Sequence, residues 1–390
     1  MASFDDDPSG ANQREAKPLD ASSLFPEGGN RLWTEGKGSR YRLIIYSLLA
    51  ITLGPLSLWL LRRFLDEDTF HLPLKAIDPL PLIGALIVLT LAWISRLIRV
   101  WYLFRPVARD IGPRDFVRSY LAGVFASQIT PSAVGGYPFF LFLLHHQGMS
   151  PGSSLAVSLL DSVNTGLAFL LLLLGGALFV RTGIPATRSW LTTAVAGMGI
   201  LTGAALTPLI FPQGLQQLIH SLSQKRSGLG SKLAPLADKA FRELQRLEWV
   251  TTEFWNHHRR LLILNLLLNV VYWTAYLAVT PLLFLAVGGK GPWPVVIGGQ
   301  IATQFAQYFI PTPGAAGGAE VTMAVLMHTL LPEERLILFL GLWRFFTYYI
   351  SLIGSSLTIP WTLRVLRQRT QDSEGDVPTP PELPPEPSEV

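Results

Sequence analysis

Two short segments of nearly equal sequence contain the residue types that bind anions. Residues 130–136 read TPSAVGG and residues 312–318 read TPGAAGG, an offset of 182 positions with five of seven residues identical. Proline ends a helix because it removes a backbone donor, and paired glycines allow the chain to reverse. The next helix begins with unpaired N–H groups and a positive dipole end, which favour an anion. We predict helix breaks at the threonine–proline pairs and substrate-binding amides at the glycine pairs: Thr130, Pro131, Thr312, Pro313, Gly135, Gly136, Gly317 and Gly318.

Three ionisable residues near these segments are also predicted to bind substrate. Glu320 follows the second glycine pair, and Asp161 and Arg344 lie at similar depths in the apolar stretches after the two segments. Charges at membrane depth are costly, which favours a functional role. Two structural alternatives stay open: Glu320 could only complement a helix dipole, and Asp161 could form a buried pair with Arg344.

Other polar residues have simpler interpretations. Arg96 and Arg99 are expected to extend toward the membrane surface along their aliphatic stems. Gln128, Gln304 and Gln307 are expected to form hydrogen bonds between helices. No metal is predicted, because the histidines at predicted membrane boundaries have no companion ligands at suitable spacing. These histidines are His145, His146, His257 and His258.

The composition is typical of a membrane protein. Of 390 residues, 49% are hydrophobic and 15% charged, and the mean hydropathy is +0.36. With 0 cysteines, thiolate nucleophiles, iron–sulfur clusters and cysteine-based zinc sites are excluded, and no cofactor is predicted. Six apolar stretches approach the roughly 20 residues that a bilayer core requires. They are 41–62, 79–104, 153–180, 189–211, 260–288 and 335–361.

Two further apolar stretches, 116–147 and 294–331, are interrupted in the middle by the threonine–proline and glycine pairs. Each half has about 15 residues and a length of about 22 Å, too short for a core about 30 Å thick. We therefore predict an all-α polytopic membrane protein with six full transmembrane helices and two re-entrant helical hairpins. The hairpins belong to an inverted repeat, with repeat 1 at 79–211 and repeat 2 at 260–361.

Basic residues predict the orientation. Lysine and arginine are concentrated at 103–118 and 212–260, which are expected on the cytoplasmic side. Six crossings then place both termini in the cytoplasm, in a multi-pass protein of the cell (inner) membrane. The first hairpin enters from the cytoplasmic side and the second from the outer side. The cytoplasmic face is expected to contact anionic headgroups, and no nucleic-acid-binding module is visible.

Three segments are expected outside the membrane core. The connection 212–259 has apolar residues at spacings of three and four from Leu233 to Phe254, which predicts an amphipathic helix. This helix could lie at the headgroup level or pack beneath the bundle. The tails at 1–38 and 371–390 are polar, with glycine or proline, and are expected to be disordered.

At these residues the sequence resembles the lysylphosphatidylglycerol synthase transmembrane-region family, also described as flippase-like integral membrane proteins. Residues 309–320 read FIPTPGAAGGAE and residues 341–348 read GLWRFFTY, which resemble the family's two signatures. The first repeat is similar through Pro131, the glycine pair and Asp161. It departs from the family at Tyr137 and Phe140, where acidic and basic residues are common, and at Ser158, where arginine is common.

The resemblance implies movement of a lipid headgroup between leaflets. We expect a flippase-like transporter of a phospholipid or lipid-linked anionic headgroup. Arg344 would attract the anion, while Asp161 and Glu320 would bind a cationic portion or a coupling proton. Lipid aminoacylation is not expected, because the family's synthases add a large soluble aminoacyltransferase domain and this sequence has only a short tail after its last span.

Two other function classes stay open. A membrane enzyme acting on a lipid-linked substrate would need paired carboxylates or a metal cluster. Asp66, Glu67 and Asp68 form only a short acidic run in a predicted outer loop, so no enzymatic activity is predicted. The third class is a non-transporting accessory membrane subunit.

Overall fold

Long helices dominate the described part of the chain. The computed structural model describes residues 77–179, 185–211, 230–307 and 309–365, together with Thr52 and Trp59. Within this part the chain is helical, and its strand-type pairing is one isolated bridge. The predicted all-α class is confirmed there. Both predicted tails lie outside the described residues, as does the span at 41–62 except for Thr52 and Trp59.

Proline sets the start of several helices. The first residue of each of α1, α2, α4 and α5 is proline, at a position where its missing N–H loses no helical hydrogen bond. A π-helical turn, Phe345–Tyr349, separates α10 from α11. The helices are α1 (Pro79–Phe104), α2 (Pro113–Ile129), α3 (Gly136–His146), α4 (Pro151–Phe179), α5 (Pro185–Ile210), α6 (Gly230–His257), α7 (Arg259–Ala286), α8 (Trp293–Ala306), α9 (Gly318–Met327), α10 (Glu333–Arg344) and α11 (Ile350–Ser356).

Four helical stretches of the described residues are long and apolar enough to cross a membrane. They are Pro79–Phe104, Pro151–Gly175, Arg259–Ala286 and Glu333–Ser356. These stretches coincide with four of the six predicted spans. The span predicted at 189–211 coincides with α5, whose apolar part, Val195–Thr207, is shorter.

The second half of the chain repeats the helix order of the first. α1 and α7 begin 180 residues apart, as do α2 and α8. α3 and α9 begin 182 residues apart, as do α4 and α10. Each half therefore consists of a long helix, two short helices and a second long helical stretch.

The long helices α1 and α7 pack in opposite directions. Asp78 N–H donates to Ala286 O at 2.8 Å near one end of the pair, and Ser95 Oγ donates to Leu268 O at 2.7 Å further along. The short helices α2 and α3 follow the C-terminal end of α1, whereas α8 and α9 follow that of α7. The two pairs of short helices therefore begin at opposite ends of the α1–α7 pair.

Each pair of short helices packs as a hairpin, and glycine permits the close approach. A Cβ atom at Gly123 on α2 would lie 2.8 Å from Phe140 Cβ and 3.0 Å from Gly136 O, both on α3. In the second hairpin, a Cβ atom at Gly299 would lie 2.6 Å from the flexible end of Met327. The neighbours of Gly123 are a Cβ atom and a backbone oxygen, which can move only if the backbone of α3 moves.

The predicted amphipathic helix is α6. Leu247, Val250 and Phe254 are buried in one core cluster with residues of α1 to α4. Trp249 and Trp255 are 63% and 64% exposed, and exposed tryptophans are typical of a membrane–water boundary. The prediction that this helix packs beneath the bundle is therefore confirmed for its buried face.

We predict that Gly123→Val opens the first hairpin and lowers the free energy of unfolding by about 1–3 kcal/mol, because it overpacks a tight helix contact. Thermal unfolding of the detergent-solubilised protein would measure the loss. Gly199→Val is the matched control, since a Cβ atom there has no neighbour within 4 Å. Equal midpoints for the two variants would contradict the packing described for α2 and α3.

Candidate functional site

The two predicted breaks share an unusual backbone conformation. Ser132 and Ala133 have φ angles of 52° and 56°, and Gly314 and Ala315, 182 positions later, have 58° and 54°. Left-handed backbone is uncommon for residues other than glycine and costs free energy. The same conformation at equivalent positions indicates that the break is a repeated structural unit.

Threonine closes each break through hydrogen bonds. Thr130 Oγ1 accepts from Gly135 N–H at 3.0 Å, and Thr312 Oγ1 donates to Ala316 O at 2.9 Å. The carbonyl oxygens of Thr130 and Thr312 accept from the N–H groups three residues later, at 3.2 and 2.9 Å. The predicted breaks at Thr130, Pro131, Thr312 and Pro313 are therefore tight turns between paired short helices.

The two breaks contact each other. Pro131 and Pro313 form an isolated antiparallel bridge, and Ser132 Oγ donates to Ile310 O at 3.4 Å. Antiparallel pairing of equivalent residues is what a local two-fold axis between the halves produces. The hairpins, which start at opposite ends of the α1–α7 pair, thus meet at their tips.

A cavity of about 270 Å³ adjoins this meeting point. Helices of both halves line it, and the described lining residues include two arginines, several tyrosines and side chains with amide or hydroxyl groups. The charged residues among them are Arg96 and Arg344, and Gly136 is the predicted glycine that reaches the cavity. The breaks therefore border a polar cavity inside the helix bundle.

Asp161 lies in a buried network behind this cavity. Its Oδ1 accepts from Arg99 Nη1 at 2.5 Å and from Asn265 Nδ2 at 2.9 Å. Thr165 Oγ1 accepts from Arg99 at 3.1 Å and donates to Asn269 Oδ1 at 3.0 Å. This carboxylate on α4 is thereby neutralised by α1 and hydrogen-bonded to α7.

Glu320 and Arg344 form a second buried ion pair, with Oε1 and Nε 2.9 Å apart. These two atoms are not aligned as a hydrogen bond. Arg344 Nη2 also donates to Gly314 O at 2.6 Å.

The suggested pair of Asp161 with Arg344 is therefore wrong, because each of them has another partner. Glu320 does complement the start of a helix, as the structural alternative for this residue predicted. Its Oε2 accepts from Gly317 N–H at 2.8 Å at the start of α9.

The predicted glycines differ in their surroundings. The N–H groups of Gly135 and Gly317 donate to Thr130 and Glu320, so these amides are not open to a ligand as the sequence led us to expect. Gly136 lines the cavity. At Gly318 a Cβ atom would lie 2.5 Å from the Ile310 side chain. Close packing therefore accounts for part of the glycine pattern.

The expectation that Arg96 and Arg99 extend to the membrane surface is wrong. Arg99 is 4% exposed and bound to Asp161. Arg96 Nε donates to Tyr120 Oη at 2.5 Å, and its guanidinium lies 5.5 and 5.7 Å from the ring centroids of Tyr120 and Tyr272. Among the described residues no carboxylate lies within 4.0 Å of Arg96. Arg99 therefore has an ionic partner inside the bundle, and Arg96 packs against polar and aromatic side chains beside the cavity.

Sequence reasoning missed the residues that surround the charged groups. Asn265 and Asn269, four residues apart in an otherwise apolar helix, were a visible signal of an internal polar face. Tyr137 Oη donates to Asp161 Oδ2 at 3.2 Å and links the network to the cavity. The π-helical turn that follows Arg344 had no sequence signal, although such turns are frequent at functional sites.

The remaining polar candidates differ in their partners. Gln128 Nε2 donates to Ser351 Oγ at 2.9 Å, as expected for hydrogen bonding between helices. Gln304 Oε1 is buried beside the cavity and has no hydrogen-bond partner among the described residues. No group of three or more potential metal ligands occurs within those residues.

The chain is similar to known membrane proteins over most of its length. A model of the family described as "Lysylphosphatidylglycerol synthase TM region" matches residues 45–354. A protein named "UPF0104 membrane protein" from Archaeoglobus fulgidus is 24% identical over 308 residues, which cover 77% of this chain and 92% of that relative. No solved structure matches the chain.

We predict that Asp161→Ala lowers the free energy of unfolding by about 3–5 kcal/mol, because it leaves the buried Arg99 without its counter-charge. The double variant Arg99→Met, Asp161→Leu should regain most of this loss. Equilibrium unfolding in mixed detergent micelles would measure both. Asp115→Ala is the control, because its half-exposed pair with Arg118 is worth about 1 kcal/mol or less. A double variant as unstable as Asp161→Ala would refute the pairing.

Proposed function

The chain belongs to the lysylphosphatidylglycerol synthase TM region family, and from that premise we propose that it moves a phospholipid or lipid-linked anionic headgroup between membrane leaflets. Family membership and the long apolar helices make it a membrane protein. The proposed route passes through the cavity where the two hairpins meet. Transport rather than covalent chemistry is proposed.

We place both hairpin tips inside the membrane. The four short helices have 17, 11, 14 and 10 residues, or lengths of about 15–26 Å against a hydrocarbon core about 30 Å thick. Because the hairpins begin at opposite ends of the antiparallel α1–α7 pair, they would enter from opposite faces. The two halves then form the inverted repeat of many secondary transporters.

The uncompensated guanidinium of Arg96 is the observation that carries this proposal. Both buried carboxylates of the site, Asp161 and Glu320, already have arginine partners. A charge without a counter-charge is costly in the interior of a membrane protein. A phosphate that entered the cavity would supply the missing anion, and arginine matches its geometry.

Arg344 is the second proposed phosphate ligand, and its partners indicate how binding is coupled to structure. It contacts Glu320 and Gly314, both on the second hairpin, and it lines the cavity. A phosphate would compete with Glu320 for this guanidinium. We therefore revise the expected roles: the carboxylates hold the arginines, and the arginines bind the anion.

The cavity size and Gln304 limit the headgroup. A volume of about 270 Å³ lies just below the range of about 300–1,000 Å³ that holds drug-sized ligands. It suits a small headgroup, with the acyl chains remaining outside. The buried acceptor Gln304 Oε1 has no described donor, which favours a headgroup with a hydroxyl or ammonium donor.

The proposed orientation follows the basic residues. Arg105, Arg109 and Arg114 lie at or after the C-terminal end of α1, and Arg259 and Arg260 lie at the N-terminal end of α7. Since α1 and α7 are antiparallel, these residues gather at one end of the pair. The positive-inside rule places that end in the cytoplasm of a cell membrane.

We predict that Arg96→Gln slows leaflet exchange of a fluorescent anionic phospholipid in proteoliposomes by about 10- to 100-fold, because it removes a charge-assisted hydrogen bond to phosphate. Arg114→Gln, which removes an exposed arginine away from the cavity, should exchange lipid at the wild-type rate. Unchanged exchange by a folded Arg96→Gln protein would exclude the proposed route.

We predict opposite effects on binding and exchange for Glu320→Gln. The amide can still accept from Gly317 N–H, but it no longer neutralises Arg344, so anionic lipid should bind more tightly and leave more slowly. Native mass spectrometry would measure binding, and the proteoliposome assay would measure exchange. Weaker lipid binding by this variant would contradict the proposed competition for Arg344.

A further inference from the structure

Tyr348 lies where the two hairpins and one proposed phosphate ligand come together. It belongs to the π-helical turn Phe345–Tyr349, is 3% exposed and lines the central cavity. The turn directly follows Arg344, the proposed ligand. Such turns are frequent at functional sites, and the proposed transport so far involves only the arginine that precedes this one.

The Tyr348 ring contacts both Arg344 and the second hairpin. The Arg344 guanidinium lies 4.4 Å from the ring centroid, within the roughly 6 Å of a cation–π contact. The ring also lies against Gly314, where a Cβ atom would be 2.5 Å from Tyr348 Cζ and 2.7 Å from its Oη. Arg344 itself donates to Gly314 O. Ring, guanidinium and hairpin tip therefore form one packed unit.

The sequence difference between the two breaks agrees with this contact. Gly314 corresponds to Ser132, and the two residues have similar left-handed φ angles of 58° and 52°. The backbone conformation alone therefore does not require glycine at position 314, whereas the Tyr348 ring does. The position 182 residues before Tyr348 is Gly166, where a Cβ atom would overlap Thr202. The first half thus has a serine and a glycine where the second has a glycine and a ring.

The Tyr348 hydroxyl reaches the first hairpin. Its Oη donates to Gln128 O at 3.1 Å, and Gln128 is the next-to-last residue of α2, two residues before Thr130. Gln128 Nε2 in turn donates to Ser351 Oγ at 2.9 Å, three residues after Tyr348. One side chain therefore contacts the first hairpin through its hydroxyl and the second through its ring.

We infer that Tyr348 is a positioning residue that transmits phosphate binding at Arg344 to the contact between the hairpin tips. The inference rests on the phosphate site of the proposed function. A phosphate that draws the guanidinium into the cavity moves it away from Gly314 O, and the ring follows its cation–π partner. This movement breaks the hydroxyl bond to Gln128 O. The tips can then separate around the headgroup.

The test is disulfide formation between Ser132→Cys and Ile310→Cys in the delipidated full-length protein, with and without phosphatidylglycerol. With Tyr348 present, the lipid should slow disulfide formation by about three- to tenfold, the factor that one hydrogen bond contributes. Tyr348→Phe keeps the ring and loses the hydroxyl, so it should react slowly in both conditions. Tyr102→Phe is the matched control, because it removes a half-exposed hydroxyl outside the cavity, and it should retain the lipid effect.

Lipid binding distinguishes positioning from a general structural role. In native mass spectrometry with phosphatidylglycerol, Tyr348→Phe should retain the wild-type affinity, since the ring still lies over Arg344. Tyr348→Leu removes the ring and should weaken binding by about 3- to 30-fold, the loss of a buried cation–π contact. A residue with only a structural role would lower the thermal midpoint without separating binding from tip contact.

Three results would overturn the inference. The first is a wild-type lipid effect on disulfide formation in Tyr348→Phe, and the second is the absence of any lipid effect when Tyr348 is present. The third is equal weakening of lipid binding by the Phe and Leu variants in folded protein, because the hydroxyl would then contact the lipid itself. Loss of leaflet exchange with an intact lipid effect on the tips would count against transport and not against Tyr348.

Discussion

A charge in the apolar interior of a membrane protein requires a partner, and this requirement organises the structure. Asp161 has Arg99, and Glu320 has Arg344, with all four side chains at most 4% exposed. Among the described residues, Arg96 contacts a hydroxyl and aromatic rings but no carboxylate. This guanidinium lines the polar cavity, and it is the charge on which the proposed anionic ligand depends.

The two hairpins share a strained turn at their tips. Left-handed backbone at Ser132, Ala133 and Ala315 is unfavourable in isolation. The threonine hydrogen bonds and the contact between the two turns hold it in place. The Arg99–Asp161 pair lies within the first half of the chain and the Glu320–Arg344 pair within the second. The tips of the two halves meet through a backbone bridge and a hydroxyl–carbonyl hydrogen bond. A relative movement of the tips would therefore leave both ion pairs intact.

Much of the fold could be predicted from the sequence because its signals are local. Proline, glycine and apolar length determine where helices start and break, and the seven-residue repeat identified both hairpins. The pairing of charges was not predictable, since Arg99 and Asp161 are 62 positions apart and come together only after α1 packs on α4. Because Arg96 and Arg99 lie near the end of a predicted span, their position in the sequence led us to expect side chains that extend to the membrane surface. Only the packing of α1 against its neighbours shows that they point inward. The amides of Gly135 and Gly317 were expected to face a ligand, but side chains three and five residues away satisfy them.

Contact between the hairpin tips inside the membrane is the central claim, and disulfide cross-linking tests it most directly. The chain has 0 cysteines, so the pair Ser132→Cys with Ile310→Cys would report without background in native membranes. The structure predicts rapid cross-linking by a membrane-permeant oxidant and protection of both thiols from a membrane-impermeant maleimide. Absent cross-linking, with both thiols freely labelled from the aqueous phase, would contradict the account.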